Sequence, residues 1–339
     1  MNALIGKRLG RQTLCFDSPV ILAHTASVVG RKEGEGPLGK DFDIIKCDNT
    51  MGEKSFEKAE ARMLEEACKL ALAKGRYTAE DIDFLVAGDL LNQIISSSYV
   101  ARTLSIPFLG LYGACSTLGE GLAVSAVLVD GGYAGRVLAA TSSHHDSAER
   151  QYRYPTEFGG QRPPSAQWTV TGAGAVVIET TGNGPCVTRA TIGSVFDMGI
   201  KDTNNMGAAM APAAASTIES HFRDTRRAPD YYDAIVTGDL GMVGQRVLKQ
   251  LLAQRGITLG ERLWDCGVMI YDKGQDTHAG GSGCGCSASV FCSHIMSRIR
   301  KGEIRRILLV ATGALHSPCA VQQGESIPGI AHAVAIETA

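Results

Sequence analysis

The sequence predicts an α/β protein in which one unit occurs twice, folded together as a duplicated, layered α/β/α/β/α sandwich. Three observations predict it. First, the 339-residue chain echoes itself. An offset of 150 places Asp83, Val86, Gly88, Asp89 and Leu90 on Asp233, Val236, Gly238, Asp239 and Leu240. An offset of 171 places Cys115-Ser116 on Cys286-Ser287, Ala140-Thr141 on Ala311-Thr312 and His145 on His316, and AVVIET at 175–180 is matched by AVAIET at 333–338. Second, short apolar runs alternate with helical patterns, and near-continuous apolar strands belong to parallel-rich sheets covered on both faces. Third, no Pro/Ser-rich tether divides the copies. Thr181-Gly182-Asn183-Gly184-Pro185 reads as a turn, so the halves 1–182 and 183–339 form one compact pseudo-symmetric unit.

The elements follow in order. Thr50-x-x-Glu53 resembles a capping box, Phe56, Met63, Ala67 and Leu70 share a helical stripe, and Gly75 closes it. Phe84-Leu85-Val86 is a buried strand. A loop leads to Cys115 and a helix from Ser116 to Val129, stopped by Gly131-Gly132. Strands at 137–140 and 174–179 complete the first unit. The second repeats it with a helix at 245–254, a strand at 234–236, a helix at 287–299, and strands at 307–310 and 333–337.

Composition excludes several function classes. Lys+Arg 33 against Asp+Glu 35 leaves a formal charge of −2, with no basic excess for a phosphate backbone, so no nucleic-acid partner is expected. No apolar run reaches the roughly 18 residues that span a bilayer, and the first ten residues lack the apolar core of a signal peptide. Ten cysteines in such a chain suggest free thiols in a reducing compartment. Gly 40 with hydrophobic residues at 44% suits close backbone packing rather than disorder.

The chemistry concentrates at Leu111-Tyr112-Gly113-Ala114-Cys115-Ser116-Thr117, where a loop turns into a helix. Unpaired N–H groups and the positive dipole end lower a thiol's pKa there and also hold anions. Cys115 is thus open to two roles, as a nucleophile or as part of an anion site, against the alternative of a small buried side chain.

The duplicated strand–Cys–helix plan looks like the thiolase fold shared by thiolases and ketoacyl synthases. A closer resemblance is carried by KEGEGPLG (32–39), VAGDLLNQ (86–93), YVAR (99–102), GACST (113–117), VDGG (129–132), VLAATSSH (137–144), AERQ-x-RYPTE (148–157), VTGAGAVVI (170–178), MAPAAA (210–215) and GGSGC-x-CSA (280–288). These stretches, spread almost end to end, resemble the stage V sporulation protein AD family. The resemblance implies a non-enzymatic role: binding dipicolinic acid (pyridine-2,6-dicarboxylate), or its calcium chelate, as a component of the SpoVA system during uptake into the developing spore, and release at germination. It implies other SpoVA proteins as partners, including membrane channel subunits, and peripheral association with the spore inner membrane from the cytoplasmic or forespore side. No cofactor is implied, calcium entering only as the chelate of the ligand. A homodimer follows by analogy with the fold.

Enzymes of this fold add to the cysteine a second-half His and a further His, Asn or Cys that move protons and hold the oxyanion. Here Thr237-Gly238-Asp239-Leu240 and Gly280-Gly281-Ser282-Gly283-Cys284-Gly285 occupy the matching stretches, without His; His278, His316 and His332 remain as candidates. The departures favour a pocket kept for binding over the alternative, a thiolase- or ketoacyl-synthase-like acyltransferase with Cys115 as nucleophile. A planar dianion needs donors for two carboxylates and a flat slot. Cys115, Ser116 and Thr117 at the helix start and Ser142, Ser143 and His144 at the neighbouring strand end are candidate donors. Asp89 and Asn92 follow the preceding strand at the carboxyl end of the sheet. Asp89 would bind as the neutral acid, orient a donor or share calcium, or else serve as a cap. Arg150, Arg153 and Arg162 are candidate positive charge. The spacing of His278, Cys284, Cys286, Cys292 and His294 lacks the paired arrangement of zinc sites, and Lys32–Pro37 reads as a surface loop.

Overall fold

The computed structural model describes residues 7–153 and 161–338; Tyr154 to Glu157 of the AERQYRYPTE stretch lie outside them. The strands used below are β1 (Ile21–Val29), β2 (Phe84–Gly88), β3 (Phe108–Gly110), β4 (Arg136–Ser143), β5 (Gly172–Glu179), β6 (Cys186–Thr191), β7 (Ala234–Thr237), β8 (Leu263–Asp265), β9 (Arg306–Ala314) and β10 (Gly329–Glu337). The helices are α1 (Phe56–Gly75), α2 (Ile95–Leu104), α3 (Thr117–Asp130), α4 (His145–Tyr152), α5 (Met206–Thr225), α6 (Gly241–Gln254) and α7 (Cys284–Val290).

Strand order shows the duplication. The path β3-β2-β4-β5-β1 is repeated as β8-β7-β9-β10-β6, and the two join where Cys186 of β6 meets Ile21 of β1. In each copy four strands run one way, and the fourth along the path, β5 or β10, runs antiparallel to both its neighbours. Helix α3 touches β4 of its own half and β9 and β10 of the other, while α7 touches β4, β5 and β1. These two helices form the middle layer between the sheets, and α1, α2, α5 and α6 cover the outer faces. The middle layer is tight because small residues line it. A Cβ on Gly119 would sit 2.7 Å from the Ala311 methyl, and one on Gly174 would sit 2.5 Å from the Ala288 carbonyl.

Several expected elements shift. Helix α1 starts not at Thr50 but after Ser55, whose hydroxyl accepts from Lys58 N at 3.4 Å. Thr50 is held in a separate turn by the Asp48 carboxylate. At the other end Gly75 is the last helical residue, and Arg76 takes the left-handed conformation. The counterpart of α1 is α5, 150 residues on, and the 245–254 segment instead corresponds to α2. Helix α5, with Pro212 inside it and an Ala-rich surface buried on almost every side, was not read from the sequence. Strands β1 and β6, the outer members that join the halves, were not read from the sequence. The 287–299 helix is broken at Phe291–Ile295 by a π-helical turn. No helix among the described residues is long and apolar enough to cross a membrane.

Candidate functional site

The cysteine turn is fixed from three sides. Gly113 donates to the Thr117 hydroxyl, the Ser116 hydroxyl donates to Gly113 O at 2.7 Å, and the Thr117 hydroxyl donates to Ala114 O at 2.7 Å. Ala114 holds φ 50, a left-handed conformation that an L-residue adopts at a cost. Gly88 and Gly313 let β2 and β9 close against the turn: a Cβ on Gly313 would lie 2.4 Å from Gly113 O and 3.0 Å from Ser116 N. This support turns Cys115 toward a narrow cavity lined by Leu90, Tyr112, Tyr152, Arg153, Ser282 and His316, among others. The room open to a water's centre is about 40 Å³, within about 430 Å³ of space free of protein atoms.

The thiol is not the acidic one expected at a helix start. Burial, reinforced by the negative charge of the nearby Asp239 carboxyl and by the Cys284 thiol, pushes Cys115 well above its usual value, and the Gly283 N–H opposes this. Burial in turn raises Asp239 to about 7. Asp239 is completely buried, accepting from Thr312 Oγ1 at 2.8 Å, Gly283 N at 2.8 Å and Ser282 Oγ at 3.2 Å. Proton transfer from this thiol to this carboxylate is uphill, so thiolate is scarce at neutral pH. Among the described residues no histidine hydrogen-bonds the thiol.

His316 also lines the cavity. It is 6% exposed, yet both ring nitrogens are buried without a hydrogen-bond partner. Burial, with the Arg153 cation second, lowers it to about 4, so the ring is neutral at pH 7. A buried orphan pair of this kind is rare and calls for an acceptor and a donor from a ligand or water. Tyr152 lies beside it, ring centroids 5.3 Å apart, and its hydroxyl donates to Leu90 O and meets the Tyr112 hydroxyl at 3.0 Å. Arg153 pairs with Glu149 one helical turn back.

The candidate residues thus separate. Cys115 is on the cavity. Ser116 and Thr117 have their hydroxyls committed to the turn. Ser142 donates to buried Glu60 at 3.0 Å, and Ser143 donates to Val170 O at 2.7 Å while accepting from Gly285 N. His144 is fully buried, its Nε2 donating to Asn49 O at 2.8 Å and its Nδ1 accepting from Asp146 N as the cap of α4. Asp89 accepts from Leu91 N, Ser97 N and Ser97 Oγ at 2.7–2.9 Å. It therefore takes the capping alternative at the start of α2, away from the cavity. Asn92 lines an outer groove of about 440 Å³ that shares Tyr112, Tyr152 and His316 with the cavity. Of the arginines, Arg153 reaches the cavity, Arg150 pairs with Glu57 and Arg162 with Asp276. His278 faces Asp276, and His332 Nδ1 accepts from Gly193 N. No group of three His, Cys, Asp or Glu among the described residues is placed to hold a metal. Sequence reasoning missed Tyr112, Tyr152 and the Asp239–Cys115 contact. The repeat pointed to Asp239, but only as the twin of a capping residue.

Comparison with known proteins decides the family. The family model for stage V sporulation protein AD (SpoVAD) matches residues 10–337. The chain belongs to the SpoVAD family. It is 51% identical over 333 residues to the stage V sporulation protein AD of Bacillus subtilis (strain 168), covering 98% of each chain. Among solved structures, the SpoVAD-family fold matches 3-oxoacyl-[acyl-carrier-protein] synthase III from Aquifex aeolicus VF5, with a TM-score of 0.59, 13% identity and 95% and 100% of the two chains covered. It also matches Xanthomonas campestris OleA bound to lauric acid and lauroyl-CoA, with a TM-score of 0.63, 12% identity and 94% and 99% covered. At these identities the likeness establishes the thiolase-like fold alone.

Proposed function

We propose that the chain acts in sporulation as a non-catalytic binder of dipicolinate, taken into the cavity beside Cys115. The observation that carries this reading is His316, buried with two unpartnered nitrogens, beside the Tyr152 ring in a cavity that Arg153 and Tyr112 also line. A flat dianion suits it: one carboxylate accepts from the neutral imidazole N–H, the guanidinium offsets charge, and the phenol rings flank the aromatic plane. The cavity is tight, so the half-exposed Tyr112 side chain moves aside as the ligand enters. The raised thiol supports binding over group transfer, since its nucleophilic form is scarce. On this reading the protein serves the SpoVA system in dipicolinate uptake into the forespore and in release at germination. It takes the free acid or its calcium chelate, and reaches the inner membrane through channel-forming SpoVA partners. The exposed outer edge of β3, with Leu109 and Tyr112 uncovered, suits a homodimer.

Isothermal titration with dipicolinate, run beside coenzyme A, tests the reading. Saturable heat with dipicolinate is expected, and Cys115→Ala should weaken it while leaving the fold intact. No dipicolinate heat overturns the proposal. The second reading, an acyltransferase using Cys115, is favoured by the enzymes that share the fold and by the cysteine's place at the head of α3. A stable acyl adduct on Cys115, seen by intact mass after incubation with lauroyl-CoA, would establish it.

A further inference from the structure

The Lys32–Pro37 stretch is not a solvated loop. Glu33 is 1% exposed; its carboxylate accepts from Thr171 N at 3.0 Å and from the Tyr271 hydroxyl. A Cβ on Gly36 would lie 2.2 Å from Ile270 O, and one on Gly39 would lie 2.1 Å from Gly34 O. The Gln275 amide donates to Lys32 O at 2.6 Å. Burying a carboxylate and clamping a glycine-rich turn are both costly, and together they fix the position of the half-buried Lys32. Its Nζ stands 4.2 Å from the centroid of Trp168. The Arg162 guanidinium stands 4.7 Å from the same ring. His145 stacks on that indole at 3.6 Å, nearly parallel, with Nδ1 buried and unpartnered.

Cation–π attraction accounts for one cation on an indole, not for two that repel each other. The negative charge at hand is Asp276, which is 79% exposed and reaches Arg162 at 3.3 Å. Among the described residues no carboxylate pairs with Lys32, and Arg162 Nη1 is buried without a partner. The cluster therefore has donors and positive charge in excess of its acceptors. We propose that Lys32 and Arg162, gathered on Trp168, form a second ligand site that binds a small oxyanion, a phosphate or a carboxylate. The planar guanidinium supplies directed N–H donors and the ammonium a point charge, the pair that oxyanion sites use. Thr169, the next residue, lines the cavity; successive strand side chains point to opposite faces, so the two sites sit back to back. This inference does not rest on dipicolinate binding.

The chain has two tryptophans, so Trp264→Phe leaves Trp168 as the reporter. Its emission is followed against inorganic phosphate and, separately, malonate, at constant ionic strength. A saturable change is expected in at least one arm, and which arm responds identifies the oxyanion. Lys32→Gln and Arg162→Gln should each weaken the midpoint 10-fold or more, Lys32→Arg should restore it, and His316→Gln should leave it in place. Thermal melts confirm that each variant is folded. No saturable change in either arm, an unchanged midpoint in folded Lys32→Gln, or loss of the signal in His316→Gln overturns the proposal.

Discussion

His316 gives a prediction whose size follows from its surroundings. In the free protein burial holds its pKa at about 4, against an ordinary 6.5. A bound dianion reverses that penalty, because the imidazolium gains a counter-charge where before it had only the Arg153 cation. If the complex restores 6.5, each dipicolinate bound between about pH 4 and 6.5 brings up to one proton with it. Linkage then gives an affinity that is flat above pH 7 and rises about 30-fold from pH 8 to pH 5, about 2 kcal/mol. Titration calorimetry in two buffers of different ionisation enthalpy reads the proton uptake directly. His316→Gln keeps a donor and an acceptor but cannot titrate, so its residual pH dependence is that of the ligand alone. The reasoning fails if wild type and His316→Gln share one pH profile, or if no proton is taken up at pH 5.5.

Three further outcomes are expected. Asp239→Asn removes the charge and part of the acceptor set that raise the Cys115 thiol, so iodoacetamide should label Cys115 faster at pH 9 in the variant, read by peptide mass; an equal rate would show that burial alone sets the thiol. Gly313→Ala drives a methyl against Gly113 O and Ser116 N and should cost about 1–3 kcal/mol in urea melts, more than Gly135→Ala, where the new Cβ meets only Asp83 at 3.7 Å. His221, held between Thr191 and Tyr232, and His145 are lowered to about 3 by burial. Their folded-state pKa values lie below the unfolded 6.5, so the stability they contribute is present above that pH and is lost as pH falls through 6.5 toward 3. The melting temperature should therefore drop between pH 7 and 4, and drop less in His221→Gln; a slope identical in the two would contradict this.

Much of the fold was legible because a duplication checks itself. The 150 and 171 offsets located strands β2, β4, β7 and β9 and both middle-layer helices without any pairing information. What escaped had identifiable causes. Helix α5 was not among the elements read from the sequence; Pro212 lies inside it, and packing against α6 and β10 holds the helix together around it. β1 and β6 lie outside the repeated words. At the site, Cys115 was readable from its place before a helix, but its neighbours were not. Ser142, Ser143 and His144 are polar residues at a strand end, and sequence does not show that Glu60, Val170 and Asn49 already engage them. Tyr112 and Tyr152 are 40 positions apart, and no local pattern predicts that their hydroxyls meet.

The twinning also equips the molecule with an internal standard. Asp89 and Asp239 share one ancestral slot, yet one ties down a helix while the other leans on a thiol. Cys115 and Cys286, and His316 and His145, diverge in the same manner. An identical replacement made at either twin perturbs comparable architecture, so the surplus effect at one address isolates what that address does beyond holding its shape.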